Sequence, residues 1–326
     1  MRLLKLVPDN TNIDFMRWRN IALVLSILVT AAAIALVFTR GLNLGVDFVG
    51  GQSVRVTFVQ APSLDDLRER VNGIGNGEAN LQEFGSPNVI AIRMPLPGGG
   101  EAAASRAASQ VRAVINARYP DARFDAVETV SGKVSEELFR SGSLAVLFAM
   151  LGIAAYIWIR FEWQFGVGAL VTLFHDVWMT LGFFSLTQVE FNLNVIAAIL
   201  TIVGYSLNDT VVIYDRIREN LRKYRKMEIV PLLNLSLNET LSRTMVTSIS
   251  ILLALGALLL VGPDVIFGLT IAIFVGIFVG TYSSIYISSP ILVWLKVTTD
   301  SFMPKDPVSR NERGGPRNES RDGAQV

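Results

Sequence analysis

The chain has 326 residues, 51% of them hydrophobic, and its 29 Lys and Arg nearly balance 28 Asp and Glu; with a positive mean hydropathy, this composition argues against an ordinary soluble globular protein. Cysteine is absent and His175 is the single histidine, which excludes disulfides, thiol chemistry, thiolate metal sites and multi-histidine metal centres. The chain therefore reads as a membrane protein with no metal, no cofactor and no nucleic-acid partner.

In chain order, the first apolar run near the spanning length is Ile21 to Phe38, against the roughly 20 residues needed to cross a hydrocarbon core of about 30 Å. Thr39-Arg40-Gly41 after it is not a small-x-small cleavage site, so the run reads as an uncleaved anchor over 21–39. From Arg40 to about Arg140 the pattern changes to alternation and amphipathic stretches. Gln52 to Val59 alternates like a half-buried strand. Ser63 offers a cap with Asp65, Asp66 and Glu69 following, and Leu64, Leu67 and Val71 recur at helical spacing. Ala79 to Phe84 and Val89 to Met94 read as strands across Gly85-Ser-Pro-Asn88. Glu101 to Tyr119 reads as a helix with Val111, Val114 and Ile115 on one face, and Arg123 to Val130 as the last strand. The order βαββαβ predicts a ferredoxin-like α/β domain. Pro95 to Gly100 is a flexible connection, since no P-loop Lys-Ser/Thr follows it.

Five further apolar runs follow: Leu144 to Ile159, Phe165 to Leu186, Val195 to Tyr214, Met245 to Val261 and Val265 to Leu295. The fold class is thus an α-helical membrane protein with six transmembrane helices and one α/β domain between the first and second. Basic residues crowd the segment before the first run (Arg2, Lys5, Arg17, Arg19), the loop 216–244, and the tail 298–326, which is polar and expected to be disordered. The short turns Thr187 to Asn194 and Gly262 to Asp264 contain no Lys or Arg. The positive-inside rule then places both termini, including residues 1–20, in the cytoplasm and the α/β domain outside.

Ionisable groups inside apolar spans cost free energy and mark pathways or helix contacts. The fourth run carries Asp209, with Tyr205, Ser206, Asn208 and Thr210 nearby, and the third carries His175-Asp176 near its middle. His and carboxylates relay protons, but they also bridge helices. Asp215 is expected in a solvated salt bridge beside Arg216 and Arg218. Arg243, Thr247 and Ser250 share one face at the start of the fifth run, and Asp209 and Arg243 are expected to face one another as a protonation-dependent pair. In the sixth run Gly268, Ala272, Gly276, Gly280, Ser284 and Ser288 recur every four residues, a smooth stripe for close helix packing whose partner the spacing leaves open.

Together, Gly45-Val-Asp47-Phe48-Val-Gly50-Gly51, Arg160-Phe-Glu162-Trp-Gln-Phe-Gly166, His175-Asp176-Val, the stretch from Gly204 to Asn220, and Thr240 to Ser248 closely resemble the SecD/SecF family of bacterial protein export, on its SecF side. The resemblance covers the chain up to about Thr298. It implies the resistance-nodulation-division superfamily, a SecD companion, association with the SecYEG channel, and use of the proton-motive force to promote late steps in the export of unfolded preproteins across the inner membrane. It also implies proton passage through Asp209 and Arg243, with Asp176, His175, Tyr205, Asn208 and Thr247 as further candidates. Asp47, Phe48, Gly50 and Gly51 match the family motif after the first span, where paired glycines suit a turn between span and domain. No catalytic residue is implied. Rival readings are a non-transporting scaffold for the channel, an efflux pump, and an intramembrane protease built on Ser206 and His175 or on Asp176 and Asp209.

Overall fold

A computed structural model describes residues 11–75, 77–97 and 101–297. The expectations for residues 1–10, for residues 98–100 of the Pro95 to Gly100 connection and for the tail 298–326 lie outside the described residues. Among those described, six helices are long and apolar enough to cross a membrane: Phe15–Thr39, Gly132–Arg160, Trp163–Thr187, Leu193–Lys223, Ile229–Val261 and Asp264–Trp294.

The first span is a single 3-10 turn, Phe15–Trp18, running into α1 (Arg19–Thr39). A short α2 (Val46–Val49) then leads into the domain: β1 (Gly51–Thr57), α3 (Leu64–Asn72), β2 (Asn80–Phe84), β3 (Ser86–Met94), α4 (Glu101–Arg118) and β4 (Arg123–Val130). Ser63 caps α3 by accepting the Asp66 N–H at 3.5 Å. The strands lie in the order β2-β3-β1-β4, every neighbouring pair antiparallel, which is the ferredoxin-like arrangement expected from βαββαβ.

Strand alternation sends Val54, Val56, Ile90 and Ile92 to one face, where they bury against Leu67 and Val71 of α3 and Val111 and Ile115 of α4. Each such side chain contributes about 1.5–3 kcal/mol by leaving water. The opposite face carries Arg55 and Arg93, in register with Ala91 and Ser53. It is this polar face that sits on the helix bundle.

The bundle consists of α5 (Gly132–Arg160), α6 (Trp163–Thr187), α7 (Leu193–Lys223), α8 (Ile229–Val261), α9 (Phe267–Tyr286) and α10 (Ser288–Trp294). The sixth span breaks at Ile287, because Pro290 lacks an N–H and its ring crowds the carbonyl one turn back.

Two expectations need correction. The stretch 216–244 is not an extended basic loop: α7 runs to Lys223 and α8 begins at Ile229. Its charges are held in helical geometry, with Arg216 bridging Glu219 and Glu239 at 2.7 Å each and Asn220 donating to Glu239 at 2.7 Å. Likewise α5 starts at Gly132, well before the apolar run at Leu144. Hydropathy marks the lipid-facing part of a helix and is silent on its polar extensions.

The small-residue stripe finds its partner within this chain. Gly268 lies beside Val195 of α7, Gly276 beside Ile202 and Gly280 beside Ser206. Further along, Ser284 and Thr210 share a hydrogen bond at 3.1 Å, and the Tyr214 hydroxyl donates to the Ser288 carbonyl at 3.4 Å. The two helices advance together because α8 carries the chain back between them. The approach is tightest at Gly276, where a Cβ would run into the Ile202 side chain, so a larger residue there would force the helices apart.

Candidate functional site

The buried acids of the bundle have opposite surroundings. Asp176, 0% exposed on α6, has both carboxylate oxygens filled. Oδ2 accepts from Ser206 of α7 at 2.5 Å and from Ser283 of α9 at 2.9 Å, while Oδ1 lies 2.9 Å from Nδ1 of His175. Thr180 also donates to the Asp176 carbonyl at 2.9 Å. Three helices therefore meet on one carboxylate, as a structural hub requires.

Asp209 on α7 is 3% exposed, and its Oδ2 is buried without a hydrogen-bond partner. The Ser248 hydroxyl of α8 reaches this carboxyl, and the Arg243 charge acts on it through space. Ser248 in turn accepts from Thr281 of α9 at 2.8 Å and lies 3.4 Å from the Tyr205 hydroxyl. A small polar chamber thus joins α7, α8 and α9 around one unfilled oxygen. Burying an acceptor without a donor is costly when the group is ionised and cheaper when it carries a proton.

The predicted residues divide accordingly. Tyr205 joins the chamber through Ser248. Ser206 and Thr210 turn away from Asp209, toward Asp176 and Ser284. Asp209 and Arg243 are neighbours but form no ion pair within the 4.0 Å that defines one. Arg243 and Asn208 are exposed on the outer face of the bundle, and half-buried Thr247 turns its hydroxyl onto the Arg243 carbonyl at 3.0 Å. Asp215 makes its solvated pair with Arg160 at 3.8 Å rather than with its sequence neighbours.

The motif after the first span is more than a turn. Asp47 Oδ2 accepts the Leu193 N–H at 2.9 Å, so it secures the first turn of the helix that carries Asp209. Phe48 packs edge-on to Phe139 of α5 at 5.7 Å and against Phe191 at 5.8 Å. Gly50 (φ +77°) and Gly51 (φ +125°) occupy backbone conformations that disfavour side chains, and a Cβ on Gly51 would lie 2.7 Å from the Met94 carbonyl oxygen.

Sequence reasoning missed the buried ion pair beside this motif. Arg93 on β3 lies 3.2 Å from Glu190 in the α6–α7 turn, with side chains 11% and 7% exposed. A lone Arg in a strand and a lone Glu in a distant turn carry no shared signal. The alternation that turns Arg93 onto the same face as Arg55 was the available clue.

A six-helix bundle with buried acids and one inserted ferredoxin-like domain defines a multi-pass membrane component of transport type. Residues 110–298 match the family described as protein export membrane protein SecD/SecF, C-terminal, and residues 35–62 match the SecD/SecF GG motif. Among curated proteins, protein translocase subunit SecF of Rickettsia rickettsii is 44% identical over 290 residues, 89% of this chain and 94% of the relative. The SecF subunit of Cereibacter sphaeroides is 41% identical over 328 residues, 99% and 97% of the two chains. The crystal structure of SecDF, a translocon-associated membrane protein from Thermus thermophilus, is 36% identical with a TM-score of 0.82, over 88% of this chain and 39% of that one. A structure of SecDF in a super-membrane-facing form gives 35% identity and a TM-score of 0.67, so the chain spans about two-fifths of the solved SecDF chains. The chain belongs to the SecD/SecF protein-export family.

Proposed function

We propose that this protein is an accessory subunit of the Sec preprotein translocase that works with SecD and the SecYEG channel, drawing on the proton-motive force to promote late steps in the export of unfolded preproteins. The observation that carries the reading is the unfilled Oδ2 of Asp209. A proton entering from the outer side neutralises this acid and releases it from the Arg243 field; departure to the cytoplasm restores the charge. Each elementary charge crossing about 100 mV supplies about 2.3 kcal/mol, enough to bias helix packing and too little for a tight grip on substrate.

The basic residues at the α7–α8 end support a cytoplasmic placement of both termini and a periplasmic α/β domain. Exposed Arg243 and Asn208 beside the chamber support a partner at this face, and the SecDF likeness makes SecD the natural occupant. The saturated Asp176 favours an anchoring role for that acid, with His175 beside it, over proton carriage. Proteoliposomes holding the chain with SecD and SecYEG test the reading. Asp209→Asn should abolish gradient-stimulated export and proton flux while the complex still assembles; undiminished stimulation would overturn it.

A further inference from the structure

The entry into the α/β domain from the first span is built on glycine, whereas its exit runs from β4 through Ser131 alone into α5. Gly41 at the end of the first span (φ +76°) and Gly50 and Gly51 at the entrance to β1 all take left-handed conformations, which glycine adopts without the penalty of a side chain. Beside these backbone links, side chains tie the two bodies together. From β3, Arg93 spans the seam: Nη1 donates to Asn43 Oδ1 at 2.9 Å and to the Leu44 carbonyl at 3.0 Å, and Nη2 donates to Gln82 Oε1 at 3.1 Å and lies 3.2 Å from Glu190 Oε2.

The bundle side of this contact is equally fixed. Gln188, at the end of α6, is held in a left-handed conformation with φ 57°, a strained state for a non-glycine residue that its surroundings must enforce. Its carbonyl accepts from Asn43 at 2.8 Å and from Gln82 at 2.6 Å. Phe191 exchanges backbone hydrogen bonds with Asn43 and Gly45 at 2.8 Å each. Two residues later Leu193 begins α7 under the Asp47 cap. From there to Asp209 the helix is continuous, a rigid rod of roughly 24 Å at 1.5 Å per residue.

The pair serves neither the core of the domain, which lies on the other face of the sheet, nor the chamber around Asp209. Buried ion pairs add little stability compared with apolar residues of the same size, and their best-attested use is to fix register. We propose that Arg93 and Glu190 are the positioning pair that couples the α/β domain to the acid-bearing helix, so that a displacement of α7 moves the sheet as one piece with its N-terminal end. This rests on the proton-coupled reading above and adds the part that transmits the stroke.

The test uses the complex with SecD and SecYEG in proteoliposomes, reading gradient-stimulated export and proton flux side by side. Arg93→Glu and Glu190→Arg should each cut gradient-stimulated export about tenfold while leaving proton flux within about twofold of wild type, and the double reversal should recover most of the loss. Should the reversals fail to fold, Glu190→Gln keeps the turn's shape without the charge and should give a partial loss of export with flux retained. Folded variants with full export, or with export and flux falling together, would overturn the proposal. So would a folded double reversal that recovers nothing. Asp209→Asn separates the two readings: its failure to abolish stimulation defeats proton coupling, whereas its success beside unaffected Arg93 and Glu190 variants defeats only the coupling pair.

Discussion

Replacing Asp176 with Asn separates the two buried acids by their bonding. Asp176 accepts from Ser206 at 2.5 Å and Ser283 at 2.9 Å and faces His175 Nδ1 at 2.9 Å. An amide oxygen at the Oδ2 position can keep both serine donors but accepts from them without the charge, and its NH2 then replaces the oxygen that faces His175 Nδ1. Ser283 has a second acceptor in the Gly280 carbonyl at 3.1 Å, so its loss is cushioned. Ser206 has the Asp176 carboxylate as its acceptor at the α7–α9 seam and carries more of the effect. Hydrogen bonds to a charged group contribute roughly 1.5–3 kcal/mol in water-soluble proteins and nearer 0.6 on average between membrane helices, so weakening the three contacts of Asp176 should cost about 2 kcal/mol or more in Asp176→Asn. Asp209→Asn, at a site whose Oδ2 has no partner, should change stability by less than about 1 kcal/mol. Thermal unfolding of purified protein in detergent measures both. Equal losses for the two variants, or a fully stable Asp176→Asn, would refute the division into an anchoring acid and a working one.

Four further outcomes follow from the packing and charges. Gly276→Val drives a side chain into Ile202 across the α7–α9 seam and should cost about 1–3 kcal/mol in the same unfolding measurement. Leu67→Ala, in the core under the sheet, should cost about 2–5 kcal/mol and unfold the α/β domain before the bundle, visible as early protease sensitivity. Asp47→Ala removes a helix-terminal acceptor and should cost about 1 kcal/mol. Burial pushes the Glu128 carboxyl above its usual range, helped by Glu190 and Asp47 and opposed by Arg55. A raised folded value means that its stabilising contribution is complete below the unfolded value and is lost as pH rises through the folded one. Glu128→Gln should accordingly match or exceed wild-type stability at neutral pH and lose that advantage in acid; an advantage confined to acid would contradict the sign.

Much of this was legible from residue patterns. Period-two alternation located β1, and the end strand Arg123–Val130 appears with the expected bounds, because both faces of a small sheet leave a clear polar-apolar rhythm. The stripe from Gly268 to Ser288 announced a close helix contact, though only coordinates could show that α7 fills it. The polar ends of α5, α7 and α8 escaped notice because apolar length reports the part in lipid, while Arg216, Glu219 and Glu239 stabilise helix beyond it. Asp209 stood out as a charge in an apolar run. Its expected neighbour Arg243 acts on it by charge but stands beyond ion-pair distance in this structure, a separation that helical spacing on one segment could not give. The Arg93–Glu190 contact had no local signature beyond the alternation that puts Arg93 on the face of Arg55; it exists because the sheet's polar face is laid on the α6–α7 turn.

The most direct measurement is proton flux and gradient-stimulated export in the same proteoliposomes, comparing the wild-type complex with Asp209→Asn. Proton coupling through the unfilled carboxylate requires both signals to vanish together in a variant that still assembles with its partners. Export that stays gradient-stimulated without an ionisable group at position 209 would contradict it.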